Sequence, residues 1–261
     1  MHALLEADAP SALLDTPEQT GIAGLETVSF RSRDGLELAA WYVAPANGAS
    51  IIVTHGTTSD RSTMLAELRV LTQAGYGVLA FDWPGLGKSA GTVRWDGQAQ
   101  RALTAAIDWL SARNEVDPRR IGGLGFSIGG FVMSRVAARD PRLRAVVLEA
   151  SPPSFEDYLS DHSREWGRLG EWAGRWAVRD SGLLDAAAEP VKLIGTIAPR
   201  PLLFVSGTRD FEVRTALVRK LYDAARDPKA LWIVDGAEHG HYFDVAPAEY
   251  ARRLVDFFRV L

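Results

Sequence analysis

Polar and apolar positions along this chain fall into two regimes. From residue 26 to residue 43 they alternate, with Asp34-Gly35 in the middle. A period of two around such a pair predicts a β-hairpin, strands over 26–32 and 36–43. Pro45, Asn47 and Gly48 close it. Beyond that point short apolar runs appear without alternation, at 51–54, 77–81, 121–124, 145–148, 201–205 and 231–234. Helical spacing follows over 62–74, 96–113, 214–225 and 247–260, and again after Gly130. A strand that is apolar on both faces needs cover on both faces. The pattern therefore predicts a mostly parallel central sheet with helices on both sides, an α/β fold in a single domain over 1–261. Residues 1–23, with Pro10, Pro17 and weak periodicity, read as a loosely held leader.

One stretch breaks the alternation. Residues 152–197 are too many for an ordinary crossover. Leu169, Trp172, Ala173 and Trp176 repeat at helical spacing, with Trp166 a turn earlier, which predicts an amphipathic helix. It is either an added helix packed on the body or a cap whose Trp166, Trp172 and Trp176 face roofs a substrate pocket.

Composition narrows the function classes. A chain of 261 residues with 47% hydrophobic content can bury a large core. Its net charge of −4 is spread without basic blocks, which points away from nucleic acid. Without cysteine there is no disulfide, no thiolate metal site and no Cys nucleophile. The first residues lack the basic start and apolar core of a signal peptide, and no run approaches membrane-spanning length. The expectation is a cytoplasmic protein with no membrane span.

The chemistry centres on Gly125-x-Ser127-x-Gly129, which comes after an apolar run and precedes a helical pattern. This is the nucleophile-elbow pattern, where a sharp strand-to-helix turn lifts a serine above a sheet. The glycines leave room for the strand and helix to approach, and the first helical amide, at Ile128, faces the space before Ser127. A serine hydroxyl needs a base, and the base needs an orienting carboxylate. Asp210 and His239 each lie just past a strand, in the order Ser, Asp, His, on the edge where open α/β sheets place their sites.

With His55-Gly56 after a strand and Asp82-Trp83-Pro84-Gly85-Leu86-Gly87-Lys88-Ser89, these motifs resemble the α/β-hydrolase superfamily over roughly residues 25–261. Asp34-Gly35-x-x-Leu38-x-x-Trp41-Tyr42 resembles its serine esterase and peptidase-like branch. The resemblance implies an α/β-hydrolase fold, with residues 152–197 as the helical cap insertion that their length at the sheet's C-terminal edge predicts. It implies Ser127 as nucleophile, His239 as base and Asp210 as orienting acid, with an oxyanion hole from the Thr57 and Ile128 amides. The expected activity is hydrolysis of a carboxylic ester on a small molecule with an acyl group; a thioester, amide or peptide bond is the alternative. No metal or organic cofactor is implied.

Rivals exist at each position. His241 competes with His239, and Glu149 and Glu212 compete with Asp210. His55 is read as shaping the oxyanion loop. Asp60 and Arg61 are read as a surface pair, and His2 and His162 as solvated. Gly87-Lys88-Ser89 resembles a phosphate loop but has Asp82 where that motif wants glycine. His239-x-His241 lacks a third ligand for a metal. A non-catalytic binding protein on the same fold has no need of all three triad members.

Overall fold

A computed structural model describes residues 16–57, 59–178, 181–185 and 188–261. Within the long helix the side chains of 163–166, 168, 169, 171, 177 and 178 lie outside that description. The hairpin is present as β1 (Glu26–Arg31) and β2 (Glu37–Val43), antiparallel from Glu26 opposite Tyr42 to Arg31 opposite Glu37. The turn closes through Ser32 N–H to Leu36 O (2.8 Å) and the Ser32 hydroxyl to Asp34 (2.5 Å). Six further strands complete the set: β3 (Ser50–Thr54), β4 (Gly77–Phe81), β5 (Ile121–Phe126), β6 (Leu143–Glu149), β7 (Leu202–Gly207) and β8 (Lys229–Val234). All eight form one sheet in the order β1-β2-β4-β3-β5-β6-β7-β8. β2 runs antiparallel to both neighbours, and β4, β3, β5, β6, β7 and β8 are mutually parallel. Their C-terminal ends therefore share one edge, the edge that carries the candidate chemistry.

The helices are α1 (Leu65–Gln73), α2 (Gly97–Ser111), α3 (Ile128–Ala137), α4 (Phe155–Val178), α5 (Pro190–Leu193), α6 (Thr215–Ala224), α7 (Tyr242–Val245) and α8 (Pro247–Phe258). They cover both faces, and β5 shows how. Successive strand residues point to opposite sides. A Cβ at Gly122 would meet Phe258 of α8, whereas one at Gly123 would meet Met133 of α3. α1 packs with α8 on one side, and α2 with α3 on the other. β3 and β4 are buried throughout, as a strand covered on both faces must be.

Several sequence expectations change here. The helix expected over 62–74 opens as a 3-10 turn, Arg61–Met64, capped by Asp60, whose carboxylate accepts Ser62 N–H at 2.7 Å. That turn carries Arg61 inward. It is buried against Asp82, not paired with Asp60 on the surface. Asp82, at the end of β4, also accepts the amides of Arg61 (2.9 Å) and Lys88 (2.8 Å). The Gly87-Lys88-Ser89 loop thus closes around the protein's own carboxylate, the opposite of a phosphate cradle. Arg61 further lies 4.8 Å above the Trp41 ring.

α4 forms where the amphipathic pattern predicts a helix, but it is interrupted at Gly167 (φ 66°, ψ 178°). Its first turns are pinned to α6 and the loop before it by Lys220 to Asp157 (2.6 Å) and Arg214 to Asp161 (3.1 Å). Among its described side chains the buried positions are Leu159, His162 and Gly174. Trp172 and Trp176 are 66% and 57% exposed, so these two point outward and do not roof a pocket in this arrangement. Periodicity identifies an apolar face without fixing its direction, and the break at Gly167 resets the helical phase. The side chain of Trp166 lies outside the described residues. His162 is buried, not solvated: its ring sits 4.3 Å from that of Tyr158 and Nδ1–H donates to Tyr158 O at 2.9 Å. His2 lies outside the described residues.

Candidate active site

Ser127 stands between β5 and α3 with φ 54° and ψ −119°, a conformation that costs a non-glycine residue energy and persists only where its surroundings impose it. The neighbours do impose it. A Cβ at Gly125 would stand 2.6 Å from Gly130 Cα, and one at Gly129 would stand 2.7 Å from His55 O and Thr54 O. Strand, helix and the loop after β3 therefore touch backbone to backbone around the serine. Ser127 N–H donates to Glu149 O at the end of β6 (2.8 Å), extending the sheet's bonding into the turn.

His55 is fully buried and works as a brace. Its Nδ1–H donates to Gly56 O (2.9 Å), and Nε2 accepts Trp83 N–H (3.3 Å). Both nitrogens are thus committed in the neutral ring. Burial pushes its pKa down to about 4, which removes it as a general base. Because Gly56 O turns toward the imidazole, the trans peptide aims the Thr57 N–H the opposite way. A Cβ at Gly56 would lie 3.3 Å from the Phe126 ring and 3.8 Å from Ser127 Cβ, so this loop borders the elbow.

The two remaining loops are laced together. Arg209 N–H donates to Ala237 O (2.9 Å), Thr208 N–H to Val234 O (3.0 Å), and Gly236 N–H to the Thr208 hydroxyl (2.7 Å). That lacing brings Asp210 to His239, with Nδ1–H donating to Oδ2 at 2.8 Å. The carboxylate of Asp210 is fully buried. Its Oδ1 accepts the amides of Glu212 (3.0 Å) and Val213 (2.7 Å), and its Oδ2 also accepts the Tyr242 hydroxyl (3.4 Å). Asp210 thus accepts from four donors. Burial first, then the Asp210 and Glu149 charges, hold the Tyr242 phenol well above its ordinary range, so it stays a donor.

His239 keeps a small exposed edge, and its ring lies 4.7 Å from that of Phe126, the residue before Ser127. Two of the three rivals fall elsewhere. His241 is exposed and bonds Asp244 at 2.8 Å. Glu149 turns to Tyr250 at 2.5 Å, away from His239. Glu212 has its carboxylate 3.7 Å from His239 Nε2, on the opposite side of the ring from Asp210. Among the described residues no cluster of three or more His, Cys, Asp or Glu side chains could hold a metal ion. Among them also, no helix is long and apolar enough to cross a membrane. Phe126 and Tyr242 carried no signal in the sequence, because only the folded backbone brings them against His239 and Asp210.

Eight strands in this order, a strained serine after β5, and a carboxylate and histidine from the loops after β7 and β8 define an α/β-hydrolase. Residues 34–187, more than half of the chain, match the family described as X-Pro dipeptidyl-peptidase (S15 family), and the chain belongs to that family. Among curated proteins it is 33% identical to the uncharacterised protein Rv2307c of Mycobacterium tuberculosis over 83% of this chain and 73% of that one. It is 29% identical to the uncharacterised protein YfhR of Escherichia coli K12 over 89% of this chain and 80% of that one. Among solved structures it is similar to the esterase Pf2001 of Pyrococcus furiosus, at 25% identity with a TM-score of 0.79 over 97% of both chains. The α/β hydrolase GrgF of a Penicillium species shares the fold, at 20% identity with a TM-score of 0.74 over 90% of this chain and 98% of that one.

Proposed function

We propose that this α/β-hydrolase cleaves a carboxylic ester through an acyl-enzyme on Ser127, with His239 as base and Asp210 as its orienting acid. The observation that carries the reading is the His239–Asp210 bond, made by a ring packed on the residue that precedes the strained serine. Nδ1–H held by Asp210 leaves Nε2 unprotonated in the neutral ring, the form needed to take the Ser127 proton. Attack on the ester carbonyl places negative charge on its oxygen. The amide of Ile128, first in α3 and without an acceptor in its own helix, and that of Thr57 are the donors proposed for it. His239 then returns the proton to the leaving alcohol and activates water to release the acid. The small-molecule acyl substrate and the ester specificity find support in the likeness to the esterase Pf2001.

The 152–197 segment is proposed to border this site as a cap within a single domain. Two bonds support this: Arg214, four residues after Asp210, donates to Asp161 on α4 (3.1 Å), and Lys220 to Asp157 (2.6 Å).

A second reading, cleavage of an X-Pro peptide bond by the same residues, is favoured by the family description. One experiment addresses both. A fluorophosphonate probe should label the protein on Ser127, with Ser127→Ala unlabelled. The ratio of kcat/KM for an aryl ester over an X-Pro anilide then decides between the readings. An unlabelled wild-type protein would favour a binding role on this fold.

A further inference from the structure

Three buried polar groups on the far side of β6 take no part in that chemistry. Glu149 ends β6, Glu67 lies on α1 and Tyr250 on α8, and all three are buried. The Tyr250 hydroxyl oxygen stands 2.5 Å from Glu149 Oε1 and 3.1 Å from Glu67 Oε1. A proton count decides what these contacts are. Each hydrogen bond uses one proton, and the tyrosine hydroxyl brings one. It can donate to one carboxylate; the second contact holds only if the other carboxyl is itself protonated and donates to the phenol oxygen. Two ionised carboxylates would instead leave one buried oxygen facing a lone pair, a costly arrangement.

We infer that Glu67, Tyr250 and Glu149 share a retained carboxyl proton and act as a strut that positions the nucleophile elbow. The mechanical link is short. Glu149 is the residue whose carbonyl accepts Ser127 N–H, and Phe126 is its partner across β5 and β6. Ala150, next in the chain, has φ 44°, so the strand ends abruptly at the bonded residue. The other two members sit on the helix entered from the oxyanion loop and on the helix after the His239 loop. One buried cluster thereby ties together the three segments that must keep register around the serine. Glu149, Tyr250 and Glu67 are positioning residues; none touches the reacting atoms.

The surrounding charges agree. On α7, Asp244 adds negative potential at Glu67, and the Tyr242 phenol feels Glu149. On α8, Arg253 lines the same wall as Glu149, but its guanidinium bonds Glu249 and lies over the Trp232 ring of β8. Burial pushes Glu67 up to about 7, and burial followed by the Glu67 charge holds Glu149 well above the carboxylate range.

The kinetic part of this inference rests on the hydrolase reading; the proton does not, and the test separates them. Glu67→Gln replaces the shared proton with a permanent amide donor. A carboxyl raised in the folded state makes folding less favourable as pH climbs from its ordinary 4.5 to about 7. The Tm of E67Q relative to wild type should therefore widen by several degrees over that window and hold constant above it. Glu149→Gln should also gain on wild type as pH rises above 4.5, and each variant should remove a protonated-carboxyl band from the infrared spectrum recorded at pH 6. Tyr250→Phe should lower kcat on the order of tenfold with KM unchanged, while E67Q retains more of it. A Tm difference that does not vary with pH overturns the shared proton, and an unaltered kcat in Y250F overturns the positioning role. If wild type takes no fluorophosphonate label, the hydrolase reading falls, and the Tm comparison still decides the proton.

Discussion

Phe126 and His239 face each other with ring centroids 4.7 Å apart and planes inclined at 47°. The contact joins the residue before Ser127 to the imidazole, so the strand that carries Ser127 also sets the tilt of the His239 ring. Gly240, next to His239, sits beneath the same ring with φ 79°, and a Cβ there would stand 2.9 Å from Phe126 Cζ. Phe126→Ala and Gly240→Ala should each lower kcat by about 10- to 100-fold with KM little changed, since small misplacements at a reacting centre are costly. Steady-state kinetics on an aryl ester tests both, and a shift confined to KM would contradict the packing argument.

Asp210→Asn keeps the shape and keeps an oxygen for the Glu212 and Val213 amides, but it loses the anion. The amide that then faces His239 favours the tautomer with its proton on Nε2. A drop in kcat of about 100- to 10,000-fold at unchanged thermal stability is expected. Circular dichroism melts beside the kinetics separate this from unfolding.

Arg61 and Asp82 form a buried pair, and removing one side strands the other. Arg61→Met should cost about 3–5 kcal/mol by urea denaturation. The double variant with Asp82→Asn should recover most of that loss, because nothing charged is then left without a partner. Equal losses in the single and double variants would show that the pair's charge is not what matters.

His55 gives a pH dependence of opposite sign to that of Glu67. Its folded value of about 4 lies below the ordinary 6.5, so the unfolded chain binds the extra proton. Stability from this group is complete above pH 6.5 and falls away as pH drops toward 4, by on the order of 3 kcal/mol. His55→Gln should flatten the acid limb of unfolding free energy against pH relative to wild type. A parallel limb would mean that the ring is not held neutral.

Arg135 lies buried in α3 and donates to Ala188 O (2.6 Å) and Trp95 O (3.2 Å). The helix that follows Ser127 thus grips the 152–197 segment at Ala188. Arg135→Leu should speed limited proteolysis in that segment several-fold while the body stays intact, which mass spectrometry of the fragments would show.

The hairpin, the strands and the loops bearing Ser127, Asp210 and His239 could be read in the chain, because each depends on a contiguous apolar run and the few residues after it. Gly77–Phe81 is one such strand, its bounds the same in sequence and structure. Arg61 could not be read, since a charge in a loop looks solvated until a carboxylate is folded against it from the end of another strand. The outward turn of Trp172 and Trp176 was equally hidden, as was the burial of His162. Direction and phase are set by the surface an element packs on. Glu67, Glu149 and Tyr250 are far apart in sequence, and only the sheet order makes them neighbours.

The sheet order also governs when these residues can first meet. β3 and β5 precede β6 in the chain, whereas Asp210 and His239 come after β7 and β8. Each parallel pairing waits for a complete crossover, so the Asp210 and His239 loops are not laced together before β8 docks beside β7. A chain interrupted after β6 would hold Ser127 on its strand and lack both members of the Asp210–His239 bond.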